Sequence, residues 1–260
     1  MEQKTIMVGS LRVRYLETAG VDSIPLVILH GWGSSINSWT NVALSLEKNG
    51  VKVFIPDLPG FGETPEPPCP WGLSDYMEFV RAFVQSIDIQ KFFLAGHSFG
   101  GQIAIAYATQ YPQNMEKLIL MSAARIIKRK KLRVKTFMVA TKIGDLIFSL
   151  PLLALLRPIV QKIWYKLTGE RDYYLASAVM RETRKRVVGE EVGPRLNLAK
   201  IPTLILWGGK DNVTLLADGR IIQREIIGSK MKVFENEGHD INLKKYREVA
   251  WEINEFIKRK

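Results

Sequence analysis

The sequence predicts an α/β fold in which helices cover both faces of a mostly parallel sheet of about eight strands. Two observations lead to this prediction. Short apolar runs alternate with longer segments of helical periodicity, and residues 5–18 alternate apolar and polar side chains around a single turn. The 260 residues, 47% of them hydrophobic and 24% charged, are enough to build one large core.

The strands come in a regular order along the chain. In TIMVGSLRVRYLET (5–18), a turn at Gly9 and Ser10 predicts an antiparallel hairpin at a sheet edge. The later strands are short apolar runs, which predict burial on both faces. They are PLVILH (25–30), VKVFIPD (51–57), KFFLAG (91–96), KLILMS (117–122), PTLILWG (202–208) and KMKVFE (230–235).

Helical periodicity fills the intervals between these strands. The predicted helices span 36–47, 75–87, 99–111, 215–226 and 241–258. Because strands and helices alternate, consecutive strands are expected to run parallel, with their carboxyl ends at one edge of the sheet. We therefore expect a core made of residues 1–124 and 191–260.

Residues 125–190 interrupt this alternation and predict an inserted helical segment. They hold 16 Lys or Arg and 5 Asp or Glu, whereas the rest of the chain holds 21 of each. Apolar residues at helical spacing over 152–167 predict a helix that starts near Pro151 and bends at Pro158. Lys142, Asp145 and Arg157 argue against a membrane span here.

Composition and charge restrict the compartment and the partners. The single cysteine, Cys69, excludes an internal disulfide, and the first residues lack the apolar stretch of a signal peptide, so a cytoplasmic location is expected. The basic insertion predicts either simple solubility or attraction to an anionic membrane surface or an acidic acyl carrier. Nucleic acid is not an expected partner, because few aromatic residues accompany the basic run.

One pentapeptide predicts a nucleophile. Gly96, His97, Ser98, Phe99 and Gly100 lie between a predicted strand and a predicted helix, so Ser98 occupies a sharp turn in which only glycine fits two residues to either side. The Ser98 hydroxyl would then lie at the carboxyl edge of the sheet, beside a helix N-terminus. The alternative is that Ser98 serves only as a helix N-cap.

A serine nucleophile needs a base and a group that orients the base. His239 follows the last strand and Asp211 follows the strand before it, so both belong to loops at the edge of the sheet that holds Ser98. His30 and His97 are interpreted as structural, and we expect His97 to point away from the pocket. The alternative interpretation of Asp211 is that it only caps the next helix.

Asp57 is interpreted as a structural turn residue. Together with Asp240, it is nevertheless an alternative source of the orienting carboxylate. The glycine-flanked turn ILHGWGSS follows the first parallel strand and could hold an oxyanion, with backbone N–H groups from Trp32 and Phe99.

With these motifs in order, the chain resembles the α/β-hydrolase family, in the branch whose oxyanion motif is His-Gly-X-Gly, here residues 30–33. DLPGFGET (57–64), the WGGKD loop and the EGHD loop are also similar to that family. The resemblance implies a catalytic triad of Ser98, Asp211 and His239, and it implies that 125–190 forms a helical lid. Thr214 and Leu215 stand where the family often has a proline after the acid.

The function that the resemblance implies is hydrolysis of a carboxylic ester or a related small acyl substrate through an acyl-enzyme, without metal or organic cofactor. Because residue 98 is a serine, the activities of those family members that use an aspartate nucleophile are disfavoured. Acyl transfer and carbon–carbon bond hydrolysis on the same triad remain open. So does a ligand receptor that has retained the fold without catalysis.

Overall fold

The computed structural model of the chain describes residues 1–22, 24–124, 126–127 and 176–259. Within this part of the chain, eight strands form one sheet in the order β1-β2-β4-β3-β5-β6-β7-β8. The strands are β1 (Glu2–Val8), β2 (Leu11–Glu17), β3 (Leu26–Leu29), β4 (Val53–Pro56), β5 (Phe92–His97), β6 (Met115–Met121), β7 (Thr203–Gly208) and β8 (Lys230–Phe234).

Helices of the described residues join these strands. They are α1 (Thr40–Glu47), α2 (Leu73–Ser86), α3 (Phe99–Gln110), α4 (Ala178–Gly189), α5 (Leu216–Glu225), α6 (Ile241–Lys244) and α7 (Tyr246–Lys258). Two of the predicted helices differ in detail. A 3₁₀ turn over Ile36–Trp39 precedes α1, and the predicted helix 241–258 is interrupted at Lys245, between α6 and α7.

The strand directions confirm the predicted fold class. β1 pairs antiparallel with β2, and β2 pairs antiparallel with β4. From β4 to β8 every neighbouring pair is parallel. The parallel strands therefore end at one edge of the sheet, and the loops that leave β3, β5, β7 and β8 meet there.

Burial follows the periodicity except at the end of the sheet. β3, β4, β5 and β7 are buried along their whole length, as the apolar runs predict. The expectation that β8 is buried on both faces is wrong, because Lys230 and Lys232 are exposed. β8 is an edge strand, so one side of it faces water, and charged residues there discourage pairing with another chain.

The chain divides into two compact units. One comprises Met1–Ile127 and Glu182–Lys260, and the other comprises Lys128–Arg181. Most of the predicted lid, including the predicted helix 152–167, lies outside the described residues, so the lid stays a prediction. None of the helices in the described part of the chain has both the length and the hydropathy needed to cross a membrane.

Candidate active site

Ser98 is the single residue between β5 and α3. Its backbone has φ 52° and ψ −113°, a left-handed conformation that residues with a side chain rarely adopt. A Cβ on Gly96 would lie 2.3 Å from the carbonyl oxygen of Gly100, and one on Gly100 would lie 2.2 Å from that of Leu29. Both glycines are therefore required for the strand and the helix to approach this closely.

The turn around Ser98 is held by its own backbone. The Ser98 N–H donates to the carbonyl of Met121 at 3.0 Å, and the Ser98 carbonyl accepts from the N–H groups of Gln102 and Ala124. The side chain makes no capping hydrogen bond to α3, which argues against a purely structural N-cap. Among the described residues, no group hydrogen-bonds the Ser98 hydroxyl, and this side chain lines a pocket.

Asp211 and His239 meet across the loops that follow β7 and β8. The Nδ1–H of His239 donates to Oδ2 of Asp211 at 2.8 Å. The other carboxylate oxygen, Oδ1, accepts from the N–H groups of Val213 (2.8 Å) and Thr214 (2.9 Å). Asp211 thus organises its own loop and orients the imidazole, and it does not act as the N-cap of α5, a position that Leu215 occupies.

The surroundings of Asp211 favour its ionised form. Burial alone would raise the pKa of this carboxyl group, but the hydrogen bond and charge of His239, with the N–H groups of Thr214 and Val213, lower the pKa to about 2. The carboxylate is therefore charged over the whole physiological range. A charged carboxylate fixes the proton of His239 on Nδ1, which leaves Nε2 free to act as a base.

Thr214 is a site residue that the sequence did not reveal as one. Its hydroxyl lies 2.9 Å from Oδ2 of Asp211 and 3.1 Å from the carbonyl oxygen of Ser122, so its single proton can satisfy either acceptor. The same oxygen lies 3.3 Å from Nδ1 of His239. The sequence signal was the threonine in place of the family's proline, but a polar substitution in a loop does not by itself indicate where the hydroxyl points.

Trp32 and Phe99 lie side by side next to Ser98. Their ring centroids are 5.3 Å apart in an edge-to-face arrangement. Phe99 is the first residue of α3, so its N–H has no acceptor within the helix. Within the described residues, neither the Trp32 N–H nor the Phe99 N–H has a hydrogen-bond acceptor. Two unpaired amides close to Ser98 are what an oxyanion site requires.

His30 and Asp57 connect the loops beneath this site. The buried His30 ring donates from Nδ1 to the carbonyl of Gly31 (2.8 Å) and accepts the Leu58 N–H at Nε2 (2.9 Å), while burial lowers its pKa. Both ring nitrogens are thus occupied. The buried Asp57 carboxylate accepts from the N–H groups of Ile36 and Glu63, so it is not available to orient His239.

The expectation that His97 points away from the pocket is wrong. His97 lines the same pocket as Ser98 and His239, and its ring centroid lies 4.7 Å from that of His239. Its Nε2 donates to the carbonyl oxygen of His239 at 3.1 Å. This hydrogen bond connects the loop that holds His239 to the turn at Ser98, which explains the inward orientation of the His97 ring.

Comparison with known proteins agrees with the fold. A family model described as the alpha/beta hydrolase fold matches residues 24–145. An esterase from Exiguobacterium antarcticum superimposes with a TM-score of 0.78 over 99% of this chain and 100% of its own, at 21% identity. The chain has the α/β-hydrolase fold.

Curated proteins that are similar to this chain include enzymes of more than one activity. Lipase 1 of Psychrobacter immobilis is 26% identical over 86% of this chain and 74% of its own length. A 2-hydroxy-6-oxononadienedioate/2-hydroxy-6-oxononatrienedioate hydrolase of Paraburkholderia phymatum is 26% identical over 88% of this chain and 85% of its own. The chain is therefore similar both to a lipase and to a hydrolase of a different kind.

Proposed function

We propose that this α/β hydrolase cleaves carboxylic esters through a covalent acyl-enzyme, in the manner of a carboxylesterase or lipase. Ser98 is the nucleophile, His239 the general base and Asp211 the carboxylate that orients the imidazole. The observation that carries the proposal is the 2.8 Å hydrogen bond between Asp211 and His239, in a chain where His239 and the strained Ser98 line one pocket.

The chemistry proceeds in two halves. Nε2 of His239 takes the hydroxyl proton of Ser98 as Oγ attacks the ester carbonyl carbon, and the same proton then passes to the departing alcohol oxygen. Water attacks the acyl-enzyme in the second half, again with His239 as the base, and Ser98 is released together with the carboxylic acid. Asp211 stabilises the imidazolium that forms in each half.

The backbone N–H groups of Trp32 and Phe99 are the proposed oxyanion donors. Each tetrahedral intermediate places a negative charge on the former carbonyl oxygen, and two amides without other acceptors can hold it without reorganisation. The His-Gly-X-Gly turn of residues 30–33 serves this role by placing the Trp32 amide. His30 is part of the support, because its two hydrogen bonds hold that turn against Leu58.

We further propose that residues 125–190 form a lid that selects the acyl group. The segment combines apolar residues with a surplus of positive charge. Apolar side chains suit an acyl chain, and the cationic residues suit an anionic lipid surface or an acidic acyl carrier. The positive charge of this segment would favour peripheral association of the protein with an anionic lipid surface.

The proposal is tested with a panel of p-nitrophenyl esters of increasing acyl length. We expect turnover that depends on acyl length and an initial burst of nitrophenol, the kinetic mark of an acyl-enzyme. Ser98→Ala is expected to abolish both. The matched control is Ser45→Ala, which removes an exposed hydroxyl on α1 and should leave both unchanged.

Three results would redirect the assignment. Faster ester consumption on addition of an alcohol or thiol acceptor, with the acyl group recovered on the acceptor, would indicate an acyltransferase. Turnover of a vinylogous diketone without turnover of any ester would indicate a carbon–carbon bond hydrolase. Binding of an ester without turnover of any substrate would indicate a receptor.

A further inference from the structure

The pocket beside Ser98 includes polar side chains that the ester chemistry alone does not use. Its volume is about 120 Å³, and its lining includes Trp32, Ser34, His97, His239 and Asp240. A cavity of about 150 Å³ holds one benzene molecule, so the space suits a small group rather than a long acyl chain. No Lys or Arg belongs to the lining among the described residues.

Ser34 presents a hydrogen-bond acceptor to this pocket. The Ser38 hydroxyl donates to the carbonyl oxygen of Ser35 at 2.9 Å, so its proton is committed. The Ser34 hydroxyl must therefore donate to Ser38 in the 2.7 Å contact between the two oxygens. With that proton used, Oγ of Ser34 retains only lone pairs for a bound molecule.

His97 presents a second acceptor. A carbonyl oxygen can only accept, so the 3.1 Å contact with His239 places the His97 proton on Nε2. Burial, followed by the charge of His239, lowers the pKa of His97 to about 3, so the ring is neutral and Nδ1 carries a lone pair. No described residue donates to Nδ1.

Gly31 keeps the approach to that nitrogen open. A Cβ at this position would lie 3.3 Å from Nδ1 of His97, closer than most side-chain contacts allow. Asp240, at the start of α6, adds a carboxylate to the lining. All three groups accept hydrogen bonds. Two of them are uncharged, which suits a neutral hydroxyl, and the carboxylate disfavours an anionic group.

We propose that this pocket receives the alcohol portion of the ester and that this alcohol carries a further hydroxyl, so that the natural substrate class is an ester of a polyhydroxy alcohol. The inference rests on the proposed esterase function. His239 lines the pocket and is the group that returns the proton to the departing alcohol oxygen. An alcohol that leaves toward His239 therefore enters this space, with its second hydroxyl donating to Ser34 and with the His97 acceptor beside it.

The test compares two esters with one acyl group. 2-Hydroxyethyl butyrate carries the donor, and 2-methoxyethyl butyrate keeps the electron-withdrawing oxygen but cannot donate. One net hydrogen bond is worth about 1 kcal/mol, so kcat/KM should favour the hydroxyethyl ester by about fivefold. Ser34→Ala should reduce this ratio toward one, whereas Ser45→Ala, on the exposed face of α1, should preserve it.

Inhibition of the wild-type enzyme gives a second measurement that needs no variant. Glycerol should inhibit butyrate hydrolysis competitively at lower concentration than 1-propanol, which has a similar chain length but only one hydroxyl.

Each further outcome is decisive. Turnover of both esters at equal kcat/KM, or a preference that Ser34→Ala does not change, would overturn the polyol subsite and leave the esterase proposal standing. Turnover of neither ester, together with no burst on the nitrophenyl panel, would overturn both.

Discussion

At the scale of single residues, the site depends on groups whose backbone or charge state is imposed by their neighbours. Ser98 has a backbone conformation of the kind that costs about 1–3 kcal/mol, and the close approach of β5, α3 and β3 maintains it. The Ser-between-glycines pattern predicted this turn because the steric demand is local. The position of the Thr214 hydroxyl, which contacts the carbonyl of Ser122, and the inward His97 ring were not predictable, because each depends on a contact between loops far apart in sequence.

Asp211→Asn is expected to lower kcat by roughly a thousandfold or more with little change in KM. The amide oxygen can still accept from Val213 and Thr214, so the loop is retained, but the amide no longer fixes the His239 proton on Nδ1. Steady-state kinetics on a short nitrophenyl ester measure the effect, with Asp88→Asn as the control. A loss below tenfold would mean that another carboxylate, Asp240 first, orients the base.

The lowered pKa of Asp211 predicts a pH range over which the free energy of unfolding changes. Its folded-state pKa is about 2, below the ordinary 3.8, so its ionised form stabilises the fold fully above the ordinary value and this contribution is lost as the pH falls through about 2. Urea unfolding of wild type and Asp211→Asn between pH 5 and pH 2 measures it. The stability advantage of the wild type should shrink as the pH falls below 4. An advantage that stayed constant to pH 2 would show that the carboxylate is not stabilised in the fold.

At the scale of elements, the helices and strands follow the sequence pattern where burial is uniform and depart from it where tertiary position decides. β3, β4, β5 and β7 were predicted closely because strands buried on both faces are continuous apolar runs. The exposure of β8 was missed, since its place at the sheet edge is a property of the topology. The break at Lys245 was likewise missed, because the apolar periodicity continues through it.

The attachment of α3 to the C-terminal end of α4 is one such tertiary feature. The buried Gln102 side chain donates from Nε2 to the carbonyls of Val187 and Glu190, both at 3.0 Å. In Gln102→Leu the Glu190 carbonyl has no donor left among the described residues, and the Val187 carbonyl keeps only the Glu190 N–H at 3.4 Å. The change is expected to lower the free energy of unfolding by about 1–3 kcal/mol.

Chemical denaturation measures the Gln102→Leu effect. Gln110→Leu is the matched control, because this glutamine lies at the exposed end of the same helix. Equal stabilities for the two variants would contradict a structural role for the Gln102 amide.

At the scale of the whole molecule, the sheet brings distant parts of the chain to one edge. His97 and His239 are hydrogen-bonded although 142 positions separate them in the sequence. The order of the motifs along the chain predicted this assembly, because parallel strands share their carboxyl edge. The net charge of +11 arises in residues 125–190, and composition alone could not distinguish solubility from binding there.

The charge of the basic run predicts salt-dependent binding to anionic vesicles. The variant replaces four residues with glutamine, namely Lys128, Arg129, Lys130 and Lys131. Binding should weaken by about 1 kcal/mol per charge removed, with a smaller dependence on salt, while turnover of a neutral short ester persists.

The control for the basic run removes the same charge from exposed lysines elsewhere, namely Lys91, Lys230, Lys232 and Lys244. Vesicle sedimentation across a salt series compares the two variants. Equal losses for both would indicate net charge alone, and no binding by the wild type at low salt would remove the membrane role.

The central claim is that Ser98 is a nucleophile activated by His239. The most direct measurement is the mass of the peptide modified by a fluorophosphonate, which reacts with activated serines. We expect one adduct per chain on the peptide that contains Ser98, and loss of that adduct in Ser98→Ala and in His239→Ala. An adduct on a different serine, or ester turnover that survives without any adduct at Ser98, would contradict it.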